Sequence, residues 1–134
     1  MCKVNSSLNS LSRVEGRETS GQTYWAPNTD VYATEEGLVV KAELAGMRRE
    51  DLELAVEGHR LTICGQRPDT CRTPGSKFLV MEIHYGSFEC VIDIPPGFDL
   101  SQAKAIYQNG FLRVDVPVAT RTPAKTLQVP ITEG

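Results

Sequence analysis

No run of apolar residues in this 134-residue chain is long enough to span a bilayer, and residues 1–23 lack the continuous apolar centre of a secretion signal. A cytoplasmic protein with no membrane span is therefore expected. A basic stripe is missing too. With a formal net charge of −3 and a pI near 5.4, the chain offers little to a nucleic acid or an anionic membrane, both of which need clustered Lys and Arg. There is no glycine-rich loop to cradle a phosphate and no serine on a nucleophile elbow. The four cysteines, Cys2, Cys64, Cys71 and Cys90, include no CxxC pair and stand outside a secretory context, so reduced thiols are expected. His59 and His84 stand at no zinc-site or Cys–His spacing relative to Cys64, Cys71 or Cys90. No catalytic residue, metal site or cofactor is assigned, and the chain is not expected to be an enzyme.

What the chain does contain is strand periodicity. At 40% hydrophobic and 23% charged it has the composition of one ordinary globular domain. Asn109-Gly110 supplies the positive-φ pair that a tight turn needs, and Leu112, Val114 and Val116 alternate with Arg113 and Asp115 up to Pro117, which cannot donate to a ladder. Val40, Ala42 and Leu44 alternate in the same way, as do Leu52, Leu54 and Val56, then Leu61 and Ile63 beyond a turn at Gly58-His59. Leu79, Met81, Ile83 and Tyr85 form a further set whose phase switches at Gly86 to Phe88, Cys90, Ile92 and Ile94, which predicts one long strand bent or bulged at the glycine. Phe98 to Ala103 reads as a loop with one helical turn. With no long amphipathic helix in this region, the expected fold is all-β, an immunoglobulin-like antiparallel β-sandwich over residues 24–117. A flexible arm of residues 1–23 precedes it, and a tail of residues 118–134 follows.

Several motifs stand in a specific order: Trp25-x-Pro27-x-x-Asp30-Val31-Tyr32, Ala42-Glu43-Leu44-Ala45-Gly46-Met47, Leu61-Thr62-Ile63-Cys64-Gly65, Tyr85-Gly86-Ser87-Phe88, Ile94-Pro95, Ala105-x-x-x-Asn109-Gly110-x-Leu112, and finally Val129-Pro130-Ile131. In this order and spacing the chain resembles a bacterial-type small heat-shock protein of the α-crystallin family. The resemblance implies an ATP-independent holdase, a homodimer that builds higher homo-oligomers and captures unfolded client proteins before they aggregate. It also implies contact sites in place of catalytic ones. Val129, Pro130 and Ile131 correspond to a tail anchor that docks in a groove of a neighbouring sandwich, and Leu54, Val56, Ala103 and Ala105 are the expected lining of that groove. Dimer contacts are expected from the edge near Trp25 and Tyr32 and from the loop after Gly65, in which Thr70, Cys71, Arg72 and Thr73 are the only stretch between Pro68 and Pro74 able to form an exchanged strand. Glu89, Cys90 and Asp93 stand where relatives often carry basic residues, so no dimer contact through an Arg of that strand is expected.

In the arm, Val4, Leu8, Leu11 and Val14 recur near helical spacing and form a candidate stripe for clients or assembly. A second reading is an adaptor module like the CS-type co-chaperone domains, which share the sandwich; a third is a small β-sandwich enzyme or thiol-redox protein. The Val-Pro-Ile tail argues against the second, and only scattered Cys and His residues support the third.

Overall fold

The computed structural model describes residues 17–19, 22–69, 72–120 and 127–134. Two antiparallel strands, β1 (Arg17–Thr19) and β2 (Gln22–Tyr24), lead into the sandwich from within the stretch expected as arm. The Val4, Leu8, Leu11 and Val14 stripe lies outside the described residues.

Seven strands form the body: β3 (Thr29–Ala33), β4 (Gly37–Glu43), β5 (Leu52–Glu57), β6 (Arg60–Arg67), β7 (Gly86–Asp93), β8 (Lys104–Gln108) and β9 (Phe111–Pro117). The tail contributes two short strands, β10 (Leu127–Gln128) and β11 (Ile131–Glu133). One sheet runs β10-β5-β6-β7 and the other β11-β8-β9-β4-β3. Among the strand pairings of the two sheets β11–β8 is parallel and the others antiparallel, and an isolated bridge from Trp25 to Phe88 on β7 is parallel too.

The expected alternation sets one face of each strand inward. Leu38, Val40 and Ala42 of β4 and Leu112, Val114 and Val116 of β9 meet Leu54 and Val56 of β5, Leu61 and Ile63 of β6, and Phe88, Cys90 and Ile92 of β7 in a single core. The β8–β9 hairpin turns on Asn109 (φ 56°) and Gly110 (φ 82°), both left-handed as that tight turn requires. The helical turn after Phe98 is a 3₁₀ turn at Leu100–Gln102, capped by Asp99, whose carboxylate accepts from the Ser101 amide at 3.0 Å. Gly65 is fixed by packing: a Cβ there would stand 2.0 Å from the Asp51 carbonyl oxygen.

Two expectations need correction. The long strand through Gly86 is absent; β7 begins at Gly86 (φ 88°), and residues 78–85 form no strand. The reason is a missing neighbour, because β6 already lies between β5 and β7, and the free border of β7 is engaged by Trp25. The Trp25 amide donates to the Ser87 carbonyl at 3.2 Å and its carbonyl accepts from the Glu89 amide at 3.0 Å. Alternating apolar residues without a ladder partner do not make a strand. The second correction concerns redox state. Cys64 is disulfide-bonded, whereas Cys90 stays a thiol, buried 3.6 Å from the Thr29 hydroxyl.

Candidate functional site

The tail lies in a groove between the two sheets, along β5 on one side and β8 on the other. Leu127 and Gln128 pair with Val56 and Ala55, and three residues later Ile131, Thr132 and Glu133 pair with Ala105, Ile106 and Tyr107. Within this extended peptide the side chains alternate. Val129 and Ile131 are buried in the core cluster with Leu54, Val56 and Ala105, while Gln128, Pro130 and Thr132 are exposed. Pro130, which has no amide hydrogen, sits at the break between β10 and β11 where no ladder bond is asked of it. Ala103, the fourth residue expected to line the groove, packs half-buried against the same cluster at the foot of β8.

One end of the groove is formed by the 3₁₀ turn Arg49–Asp51. The Arg48 amide donates to the Asp51 carboxylate at 3.0 Å, closing the turn. The Tyr107 hydroxyl ties the preceding loop to β8, donating to the Leu44 carbonyl at 2.7 Å and accepting from the Met47 amide at 3.1 Å. From this turn Arg49 Nε donates to the Ile131 carbonyl. A cleft of about 450 Å³ remains beside the tail, lined by Arg49, Leu52, Glu53, Leu54, Val129 and Ile131 among others, so the tail does not fill its groove. Neither guanidinium with a raised pKa lines this cleft. Arg60 is held charged mainly by its hydrogen bond to Asp93, and Arg113 by its bond to Asp115.

A second surface lies around residues 78–83. Phe78, Leu79, Val80, Met81 and Ile83 are all exposed, Leu79 at 92%. Isolated exposed apolar residues are ordinary, but five within six positions form a contiguous apolar segment. Its C-terminal base is clamped. Trp25 stacks on His84 (centroids 5.5 Å apart, 16° between planes), its indole N–H donates to the Gly86 carbonyl at 3.1 Å, and the Arg67 guanidinium lies 4.4 Å from its ring centroid. Arg67 also donates to the His84 carbonyl at 2.9 Å. Trp25 thus packs on its own sandwich. Tyr32 stands exposed on β3, which is the terminal strand of its sheet.

In the expected exchange strand, Thr70 and Cys71 fall outside the described residues. Arg72 and Thr73 are exposed in non-strand chain, with Arg72 paired to Asp69 and its guanidinium 4.6 Å from the Phe78 ring centroid. Arg49, Tyr107 and the segment 78–83 carry no sequence signal of a site. The first two look like ordinary turn and strand residues, and the third alternates as a strand does.

Comparison with known proteins matches residues 30–132 to the model of the Hsp20/alpha crystallin family. A small heat shock protein of Rickettsia felis is 27% identical over 103 residues, spanning 77% of this chain and 67% of that one. A 17.6 kDa class I heat shock protein of Arabidopsis thaliana is 31% identical over 134 residues, spanning 92% and 83%. The solved structure of a small heat-shock protein from Xylella fastidiosa superposes with a TM-score of 0.65 at 27% identity, covering 78% of this chain and 96% of that one. The bacterial relative is thus longer, and the match takes in about two thirds of it. A β-sandwich of this topology, with an apolar groove along its border and a family match over most of its length, leaves one assignment: the chain belongs to the Hsp20/alpha crystallin family of small heat-shock proteins.

Proposed function

We propose that this protein is an ATP-independent holdase, a cytoplasmic chaperone without enzymatic activity that works as a dimer-based homo-oligomer and binds partly unfolded clients. The observation that carries this reading is the exposed apolar segment from Phe78 to Ile83, on a sandwich whose β3 border pairs with no further strand among the described residues. Such a segment in water favours burial against another polypeptide, and an unpaired sheet border accepts an added strand. For the dimer, the loop after Gly65, with Thr70 to Thr73 as its exchange strand, would lie along the β3 border near Tyr32 of another copy.

The groove supplies the second half of the reading. Fully burying Val129 and Ile131 is worth roughly 3–6 kcal/mol gross, against an association cost of about 4–15 kcal/mol. One tail engaging a neighbouring subunit is therefore weak, and assemblies would be held by many such contacts acting together while still exchanging subunits. The solved relative from Xylella fastidiosa is described as having a distinct high order structure, which supports assembly as the working form. The test is to heat an aggregation-prone enzyme with this protein in the absence of nucleotide and follow light scattering. Suppression at a near-equimolar subunit ratio is expected. Undiminished scattering across all ratios and temperatures would defeat the holdase reading.

A further inference from the structure

The groove is occupied by the tail of the same chain, and the occupant is held by more than its two apolar side chains. We infer that Arg49 is a latch on the tail backbone, and that in the free subunit it closes on the chain's own tail, capping the groove until the tail of a second copy displaces it. The inference deepens the groove reading given above and rests on it.

Three observations converge. The tail joins the ladders of both sheets, antiparallel to β5 and parallel to β8, so its path is fixed by backbone pairing at both borders. The loop that leads into the Arg49 turn is tied by Tyr107 to β8, the strand that β11 pairs with, so Arg49 and the ladder are anchored to the same strand. Finally, Arg49 Nε addresses the Ile131 carbonyl, a group present whatever side chain the tail carries. Arg49 therefore reads the position of the peptide along the groove, while Leu54, Val56 and Ala105 read its apolar side chains.

Own-tail capture also follows from concentration. Nine residues, 118–126, separate the end of β9 from β10. A tail on so short a connection has an effective concentration on the order of millimolar. A second copy at micromolar concentration, making the same contacts, is disfavoured about 10³-fold by this ratio. Displacement then requires the additional contacts of an assembly, where several tails and dimer borders act together.

The test uses the full-length chain. A photoreactive benzophenone is placed at position 132, and ¹⁴N- and ¹⁵N-labelled populations are unfolded, mixed, refolded at low micromolar concentration and irradiated. Cross-links from the tail to β8 or to the Arg49 turn should join peptides of the same isotope. Mixed-isotope pairs making up half of these cross-links would overturn own-tail capture, whereas cross-links falling elsewhere would overturn the groove reading beneath it. In parallel, Arg49→Ala should speed amide exchange at Ile131–Gly134 about tenfold, as expected for losing one hydrogen bond to a charged group, with β6 exchange unchanged. Arg49→Lys, which keeps a charged donor, should recover part of the protection. Unchanged tail exchange in Arg49→Ala overturns the latch.

Discussion

Replacing Leu79, Met81 and Ile83 together by Ser separates folding from chaperone action. The three side chains are 92%, 57% and 60% exposed, so they contribute little to the native core, and surface changes of this kind stay within about 0.5 kcal/mol each. The fold should accordingly survive, with a thermal midpoint within a few degrees of the parent. Their value on contact is another matter. Buried against a client, the three would contribute about 4–9 kcal/mol gross, and even if only about 1.4 kcal/mol of that survives the cost of association, the affinity falls tenfold. The assay is light scattering of a heated client over a series of chaperone ratios, alongside a circular-dichroism melt of the variant. The ratio giving half suppression should rise about tenfold while the melt stays put. Equal suppression by parent and variant would show that clients bind elsewhere. A collapsed melt would show that these side chains are packed in the native state, and the exposure argument would fail with it.

Other perturbations address single links. Ile131→Ala removes a side chain buried between β5 and β8, where such truncations cost about 2–5 kcal/mol; native mass spectrometry should find the assembly shifted toward dimers, and an unchanged distribution would remove tail docking from the assembly scheme. Gly65→Ala drives a methyl into the Asp51 carbonyl oxygen and should lower stability by roughly 3 kcal/mol in urea unfolding; a wild-type midpoint would mean that the β5 border yields more easily than its packing implies. Trp25 is the only tryptophan, so Arg67→Ala, which strips the guanidinium from its face, should shift the emission to the red at a stability cost of about 1 kcal/mol or less. An unaltered spectrum would argue that the clamp at the base of the apolar segment does not shield the indole.

Where a residue's role is set by its immediate neighbours in the chain, the sequence was a sound guide. The Asn109-Gly110 turn was readable because few residues other than Asn and Gly adopt positive φ, and the inward set Phe88, Cys90, Ile92 followed from period two. The groove was half-legible for the same reason: Leu54, Val56 and Ala105 alternate as inward residues must, but alternation does not say which of them lie at a border. Leu79, Met81 and Ile83 alternate equally well and form no strand, because a ladder needs a partner that the described residues do not provide there. Arg49 gave no signal at all. A charged residue in a polar turn has the composition of ordinary solvated surface, and its bond to Ile131 spans 82 residues of chain. The Cys64 bond was equally hidden, since no short motif announces it.

The last eight residues stitch together the rims of both sheets, so under the proposed assembly cohesion and sociability would draw on the same short peptide. A subunit that lends its end to a neighbour leaves two rims of its own undone, and becomes a better acceptor for whatever comes next. Growth of such a cluster would be self-reinforcing once begun, and reluctant to begin. Warming, which loosens the weakest stitches first, would then recruit members at the moment damaged proteins become abundant.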